Sequence, residues 1–412
     1  YRGRGMKFFE SRIGPSVFET YYCHAAKALE TVGHMERCVA IACDDGDASE
    51  AIAATSNAEL EAAGLKNKLR EGGIAGQQNS RGNPFGQLAV QEFRVLTQNY
   101  KAEYEEAGSA IVTAVTKSGT NEFHGEIFGQ YTDRSLAEID AINEREDRPE
   151  PPFERKQYGA SLGGPIIKDK LFFFAAYEGN DQDRAFNVSA AGTPELRAAF
   201  EASSGRSIDE FEGAFVSPFR GDFYFGKLTL TPDDRQIFDL SFSRREETDI
   251  QGFGNQVAYE AAENKVNRVD SGLFKWTYNG DDFVNEFSAS MIDYLFNPTS
   301  INPDLPQFEY RGVLTFGGKD STRRERQQSY TLRNDFTYSA LDDHTIKFGA
   351  RVEGLDVEFD NRAFIHPRYT FVDEPANNLD FSFPAEARLG LGNSLITSSN
   401  TSFGIYIQDD WQ

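Results

Sequence analysis

Five side chains that can bind a metal ion lie close together near the start of the chain: Cys23, His24, His34, Cys38 and Cys43. Thiolates and imidazoles are the usual protein ligands of zinc. Structural zinc sites commonly place two cysteines in a Cys-x-x-Cys pair, and these five residues contain no such pair. Buried or incidental cysteines are therefore the favoured interpretation, and we predict no metal site here.

Two further motifs fail on their spacing. The sequence DDGD at residues 44–47 resembles the opening of a calcium loop, but the remaining ligands and the closing Glu are missing, which favours a solvated turn. Lys117-Ser118 would suit a phosphate loop, but that motif requires glycine where this chain has Ile111 and Thr116. The sequence therefore predicts neither a cation loop nor a nucleotide site.

Paired carboxylates at Asp409 and Asp410 could suggest acid–base catalysis. Neighbouring residues on a strand point to opposite faces, however, so the two carboxylates cannot act on one substrate atom. Neither a Gly-x-Ser-x-Gly elbow nor a His-Glu-x-x-His motif occurs. We predict that the chain is not an enzyme and carries neither a catalytic residue nor a cofactor.

Charge and hydropathy argue against two other classes of protein. Asp and Glu number 65 against 42 Lys and Arg, a formal net charge of −23, and a surface of that sign repels nucleic-acid phosphates. The longest apolar run, residues 171–177, is far shorter than the roughly 20 residues of a transmembrane helix. A membrane β-barrel remains compatible, because only alternate residues of its strands face lipid.

The first 80 residues differ in character from the rest. Residues 17–29 and 48–70 are rich in Ala, Glu and Leu at helical spacing, and residues 75–86 read as a glycine-rich linker. We interpret residues 1–80 as a helical segment of uncertain origin. It is either an artefact of gene prediction, which we favour, or a genuine additional module.

From residue 123 onwards, apolar and polar residues alternate in ten segments. Ile346, Phe348 and Val352 share one face of such a segment, while Lys347 and Arg351 share the other. Most segments are about ten residues long, the length with which a tilted strand crosses a bilayer. The predicted strands are 123–133, 157–166, 171–178, 222–231, 236–246, 268–278, 283–294, 329–340, 345–356 and 402–411.

Short and long connections alternate between these strands. The short ones (167–170, 231–235, 279–282 and 341–344) each contain Asp, which hydrogen-bonds its own backbone in turns. The long ones are 134–156, 179–221, 247–267, 295–328 and 357–401. All long connections therefore lie at one end of the sheet, as in outer-membrane barrels. We expect them to be polar, solvated external loops that could hold substrate contacts.

Several blocks resemble TonB-dependent outer-membrane receptors, particularly their Oar-like branch. Residues 90–97 (VQEFRVLT), 102–104 (AEY) and 111–121 (IVTAVTKSGTN) resemble the end of a receptor plug, and residues 123–125 (FHG) resemble the first barrel strand. The blocks PPF, QYG, LGGP and KDKLFFF between residues 151 and 174, YEG at 177–179, and YIQDDW at 406–411 resemble later barrel strands. The resemblance covers roughly residues 85–412.

The resemblance implies an all-β fold, namely a transmembrane antiparallel β-barrel, incomplete at about ten strands, preceded by the C-terminal part of a plug domain. Residues 81–121 would be the end of the plug and residues 122–412 the N-terminal part of the barrel. The plug strands at 90–97 and 111–116 would block the lumen. Six polar inward positions would contact plug and water: Lys227, Thr229, Asp239, Ser241, Lys347 and Arg351.

The resemblance also implies a function. The protein would bind a substrate at the surface of a Gram-negative-type bacterium and transport it into the periplasm with energy transmitted by TonB. Its expected partners are the inner-membrane TonB complex, through a segment that this sequence lacks, outer-membrane lipid and a transported ligand, but no nucleic acid. No motif identifies substrate-binding residues, so iron chelates, cobalamin, sugars, peptides and proteins all stay open.

Two features depart from the pattern of these receptors. Where they usually have Gly-Arg and paired glycines, this chain has EEAGSA at residues 105–110, which puts close packing of the plug backbone there in doubt. A plugged barrel has about 22 strands, so we expect the ten strands to be part of a longer protein. The alternatives are a passive or structural barrel, such as a porin or adhesin, without TonB coupling, and a soluble module carried by residues 1–80.

Overall fold

A computed structural model of the chain describes residues 80–83, 85–96, 111–136, 152–341 and 343–411. The predicted helices at 17–29 and 48–70, the Cys and His cluster, the acidic turn at 44–47 and the block at 105–110 all lie outside these residues. Within the described part of the chain, helices that combine the length and the apolar character needed to cross a membrane do not occur.

One antiparallel sheet of ten long strands dominates the molecule. The ten strands are β3 (His124–Asp133), β4 (Phe153–Ile167), β5 (Leu171–Val188), β6 (Gly213–Asp233), β7 (Gln236–Gln251), β8 (Glu263–Asn279), β9 (Phe283–Ser300), β12 (Thr322–Leu341), β13 (His344–Arg362) and β16 (Leu395–Trp411). All ten predicted strands are present, so the all-β prediction is confirmed. Their order in the sheet is β16-β13-β12-β9-β8-β7-β6-β5-β4-β3, so consecutive long strands pair with each other, and β3 and β16 form the two edges. A separate two-stranded hairpin precedes the sheet.

Six smaller strands and one α-helix complete the described elements. The hairpin consists of β1 (Val90–Leu96) and β2 (Ile111–Thr116). The helix, α1 (Pro194–Ser204), lies between β5 and β6. The other small strands are β10 (Gln307–Tyr310), β11 (Leu314–Gly317), β14 (Arg368–Phe371) and β15 (Glu386–Arg388), which form a four-stranded sheet in the order β11-β10-β14-β15.

Two-residue alternation gives the ten-stranded sheet an apolar outer face. On β16, Phe403, Ile405 and Ile407 are 84%, 84% and 74% exposed, and they share this face with Phe348 and Val352 of β13 through the strand register. Large apolar side chains exposed in rows are expected on a surface that lipid covers. The opposite face, which we call the inner face, carries mostly polar side chains on these two strands, including Lys347 and Arg351.

The strands are longer than predicted, almost entirely at the ends that adjoin the long connections. β5 was predicted to end at Glu178 and continues to Val188, and β6 begins at Gly213 rather than at Asp222. The other ends agree within about two residues, and Asp169 and Asp343 in the tight turns adopt left-handed φ angles of 63° and 61°. Apolar alternation marks only the part of a strand that lies in lipid, so it misses the polar extension beyond.

Four long connections do not form the solvated loops that we expected. Residues 189–212, 252–262, 301–321 and 363–394, which we call the loop module, enclose a hydrophobic core of their own. Phe200 of α1 is 0% exposed and lies edge-on to Tyr310, with 4.8 Å between ring centroids. Tyr310 in turn stacks on Phe371 at 4.3 Å. These contacts join three different connections into one folded unit.

Local signals and one arginine hold the loop module together. The Thr193 side chain caps α1, Pro194 begins the helix, and Gly205 ends it with a left-handed φ of 69°. The Arg206 guanidinium donates to Glu260 Oε1 at 2.9 Å and lies 4.1 Å from the Phe211 ring centroid. Because the backbone N–H of Gly317 donates to the same carboxylate oxygen, this ion pair links three connections.

We expect the substitution Phe200→Ala to unfold the loop module locally, since it removes a fully buried aromatic side chain at a cost of about 3–5 kcal/mol. Hydrogen exchange in residues 189–212 and 301–321 would report the loss of protection. Phe383→Ala is the matched control, because that ring is 76% exposed and its removal should change stability by about 0.5 kcal/mol or less. Equal protection in both variants would contradict a shared core.

Candidate functional site

Residues 80–83 and 85–89, which we call the strap, run along the inner face of the ten-stranded sheet. The strap begins beside the ends of β6, β7 and β8 that adjoin the loop module, and it descends towards the tight-turn end of β5. Three kinds of contact hold it there, namely an apolar contact, close backbone approach and a buried polar cluster. A segment in this position occupies the space that the inner face would otherwise offer to water.

The lower part of the strap is held by apolar contacts. Leu88 and Ala89 are 3% and 1% exposed and belong to one cluster with Phe174, Ala176 and Phe225 of the inner face. The backbone N–H of Leu88 also donates to Glu178 Oε1 at 2.7 Å. Burial of these side chains stabilises the contact between the strap and the inner face of the sheet, which we also call the wall. The leucine alone contributes about 1.5–3 kcal/mol.

Glycine allows the strap backbone to lie against aromatic rings. A Cβ atom on Gly86 would come within 2.4 Å of the Phe223 ring and 2.7 Å of Glu178 Oε1. A Cβ atom on Gly82 would lie 2.5 Å from Glu247 Oε1 and 3.2 Å from the Phe219 ring. Real Cβ atoms essentially never lie within 3.0 Å of another heavy atom, so a larger residue at either position would displace the facing side chains or the strap itself.

A buried polar cluster holds the upper end of the strap. The Ser80 hydroxyl donates to Glu247 Oε1 at 2.6 Å. Arg81 donates from Nη2 to Ser217 Oγ at 2.5 Å and forms an ion pair with Asp249. Burial lowers the pKa of the Arg81 guanidinium, and the nearby Asp249 carboxylate opposes that shift. The strap therefore makes charged contacts in a region almost without solvent.

The β1–β2 hairpin continues directly from the strap. The backbone N–H of Lys117 donates to the Ala89 carbonyl at 2.8 Å, and Lys117 Nζ lies 3.4 Å from Glu126 Oε2, so this lysine links the hairpin to the strap and to β3. Asn121 then exchanges two hydrogen bonds with Asp169 of the β4–β5 turn, at 2.6 and 2.8 Å. The chain is thus attached to the sheet at both ends of the strap–hairpin segment.

The six predicted inward residues lie on the inner face but do not form one site. Lys227 Nζ is 3.4 Å from Asp239 Oδ1, and Thr229 donates to the same oxygen at 2.6 Å. Ser241 is the register partner of Lys227 on β7. Lys347 and Arg351 lie on β13, five strands away from β6, where Arg351 donates to Glu353 at 2.6 Å. Contact between these six side chains and the strap remains a prediction.

Asp409 and Asp410, the carboxylate pair considered for acid–base chemistry, lie on β16. Asp409 lies 2.8 Å from His344 Nδ1 and is the register partner of Ile346, which belongs to the outer face. Asp410 pairs with Thr345 on the opposite face. The structure therefore separates the two carboxylates, in agreement with the two-residue alternation.

The sequence analysis missed the side chains that hold the strap. Glu247, Asp249 and Lys265 fell inside the predicted connection 247–267, because apolar alternation ends there. The structure places all three on strands, with side chains at most 2% exposed. Alternation offered no signal for them, because Arg244 and Glu246 place charges on the opposite face of β7 as well.

We expect the substitution Gly119→Ala to displace the segment that follows the hairpin. The new Cβ atom would lie 2.2 Å from the Phe173 carbonyl oxygen, and a backbone atom cannot rotate away, so unfolding free energy should fall by about 1–3 kcal/mol. Gly129→Ala is the control, because nothing lies within 4 Å of that Cβ position. Urea unfolding would compare them, and equal midpoints would contradict the observed approach.

Comparison with known proteins gives both a sequence and a fold relationship. Residues 115–223 match a family model described as an outer membrane beta barrel domain. The chain is similar to the TonB-dependent transporter Oar of Myxococcus xanthus, with 37% identity over 99 residues, which is 23% of this chain and 9% of Oar. The matched part therefore spans only a small share of that relative.

A solved structure with a similar fold is the outer membrane transporter YddB of Escherichia coli. Its TM-score is 0.51, its sequence identity is 12%, and the match covers 74% of this chain and 39% of YddB. At that identity the match establishes the fold alone. The barrel-domain match shows an outer membrane β-barrel domain in residues 115–223, and the similarity to Oar agrees with the resemblance to Oar-like TonB-dependent receptors.

Proposed function

We propose that the protein binds a substrate at the cell surface and transports it into the periplasm with energy transmitted by TonB. The single observation that carries the proposal is the strap, a segment attached along the inner face of a barrel-type sheet by apolar, glycine and ion-pair contacts. A segment in this place obstructs passage, so transport requires that it move.

The domain division follows from the same observation. In this proposal residues 81–121 are the C-terminal part of a plug domain, because they contain all of the strap except Ser80, and also the β1–β2 hairpin, which pairs separately from the ten-stranded sheet. Residues 122–412 are the N-terminal part of the barrel. Asn121, bonded to Asp169, marks the boundary between the two. The prediction for residues 1–80 stays open.

The loop module is the proposed receiving surface for the substrate. It lies at the end of the sheet that carries all the long connections, which is the external end in outer-membrane barrels. Its core includes Phe200, Tyr310 and Phe316, all at most 6% exposed, so its surface is preformed rather than assembled on binding.

Transport is the activity named for Oar and YddB, to which this chain is similar. We propose that this chain is not an enzyme. Its proposed partners are the TonB complex of the inner membrane, outer-membrane lipid against the exposed apolar face, and the transported ligand.

A reversible crosslink between strap and wall tests the proposal. Ser80→Cys and Glu247→Cys would replace a pair of side chains whose oxygens lie 2.6 Å apart. The background would carry serine at Cys23, Cys38 and Cys43. A short bis-methanethiosulfonate reagent would join the new pair through two reducible disulfides, with methanesulfinate as the leaving group at each thiol. We expect crosslinked cells to stop depleting the compound that receptor-expressing cells remove from the medium, as measured by mass spectrometry, and to resume after reduction.

The matched control joins two positions within the wall. Ser243 and Ser271 face each other on β7 and β8 with their hydroxyl oxygens 2.6 Å apart, so a crosslink there leaves the strap free. Depletion should continue in this variant and should stop on loss of TonB or on addition of a protonophore. Depletion that persists with the strap crosslinked, or without TonB, would favour the passive barrel instead.

A further inference from the structure

The carboxylate that binds Arg81 also has a cationic partner on the wall. Lys265 Nζ lies 3.2 Å from Asp249 Oδ2, whereas Arg81 contacts the other oxygen, Oδ1. The Lys265 and Asp249 side chains are 2% and 1% exposed, and the Arg81 side chain is 19% exposed. Asp249 therefore lies between one cation that belongs to the strap and one that belongs to the barrel.

Glu247 is arranged in the same way. Asn267 Nδ2 donates to Glu247 Oε2 at 2.8 Å, and Arg245 Nε lies 3.8 Å from Oε1. The strap contributes the Ser80 hydroxyl to Oε1. Both carboxylates that hold the upper strap thus have wall partners of their own, on β7 and β8.

Separation of a buried ion pair is normally costly, because it leaves one charge without a partner in a medium that solvates it poorly. Here the departure of Arg81 leaves Asp249 beside Lys265, and the departure of Ser80 leaves Glu247 beside Asn267. The wall therefore keeps its carboxylates partnered in both the attached and the released states.

We infer that Lys265 is a resident counter-ion whose role is to lower the barrier to release of the strap. The inference rests on the proposed transport function, in which the strap must leave the wall. Without Lys265, Arg81 would become the principal cation of a carboxylate that is 1% exposed, and the strap would be held more tightly. Lys265 thus tunes how readily TonB opens the receptor.

The test measures exposure of the strap in cells whose outer membrane contains the full-length receptor. Asn83→Cys, in the background that lacks the three native cysteines, places a thiol on the strap for labelling by a maleimide in energised and protonophore-treated cells. We expect Lys265→Met and the milder Lys265→Gln to slow energised labelling roughly tenfold, because the released state then contains an unpartnered carboxylate. Lys265→Arg should restore the wild-type rate.

Two variants separate this role from general damage. Lys275→Met removes another lysine of β8, one that pairs with Glu286 at 2.6 Å rather than with Asp249, and should label at the wild-type rate. Asp249→Asn removes the charge that Lys265 neutralises, so adding Lys265→Met to it should have no further effect.

Two outcomes would overturn the inference, and they are distinguishable. If labelling depends on energy but Lys265→Met and Lys265→Gln behave like Lys275→Met, the counter-ion role is wrong while transport stands. If labelling is independent of energy in every variant, the proposed function fails, and the release role fails with it.

Discussion

Each strand of the ten-stranded sheet must find its backbone hydrogen-bond partners in a neighbouring strand, because lipid supplies none. This constraint fixes continuous antiparallel pairing from β3 to β16, and the two-residue period then separates an outer from an inner face. Rows such as Phe403, Ile405 and Ile407 can face lipid only because the same strand turns Tyr406 and Gln408 inward. The positions of the strap and of the loop module follow from this division into an outer and an inner face.

The inner face is itself divided along the strands. Near the tight turns of β5 it is apolar, and Leu88 and Ala89 settle against Phe174 and Phe225. Near the loop module it carries buried charges, and Arg81 joins Asp249 there. Apolar burial is a non-directional interaction, so it holds the strap without fixing its register on the wall. The ion pair and the glycine contacts define that register. Apolar contacts and a buried polar cluster thus hold different parts of one interface.

The loop module shows why long connections need not be mobile. Polar strand extensions raise four connections above the lipid-facing rows, where Phe200, Tyr310 and Phe371 bury one another. Strands β10 and β14 come from different connections and pair in parallel, which joins two of the four connections, and the shared core joins all four. Movement of this unit requires the four connections to move together.

Sequence alone determined the number and order of the long strands, their tight turns and which face of each strand is apolar. These features depend on the alternation of apolar and polar residues and on Asp in turns, which are local properties. It did not reveal the pairing of Arg81 with Asp249, which are far apart in the chain, nor the contacts of Phe200 with Tyr310. Such contacts depend on which residues the sheet brings together. Only the tertiary structure therefore decided that Glu247, Asp249 and Lys265 form a buried polar cluster on β7 and β8, and that aromatic residues in separate loops form one core.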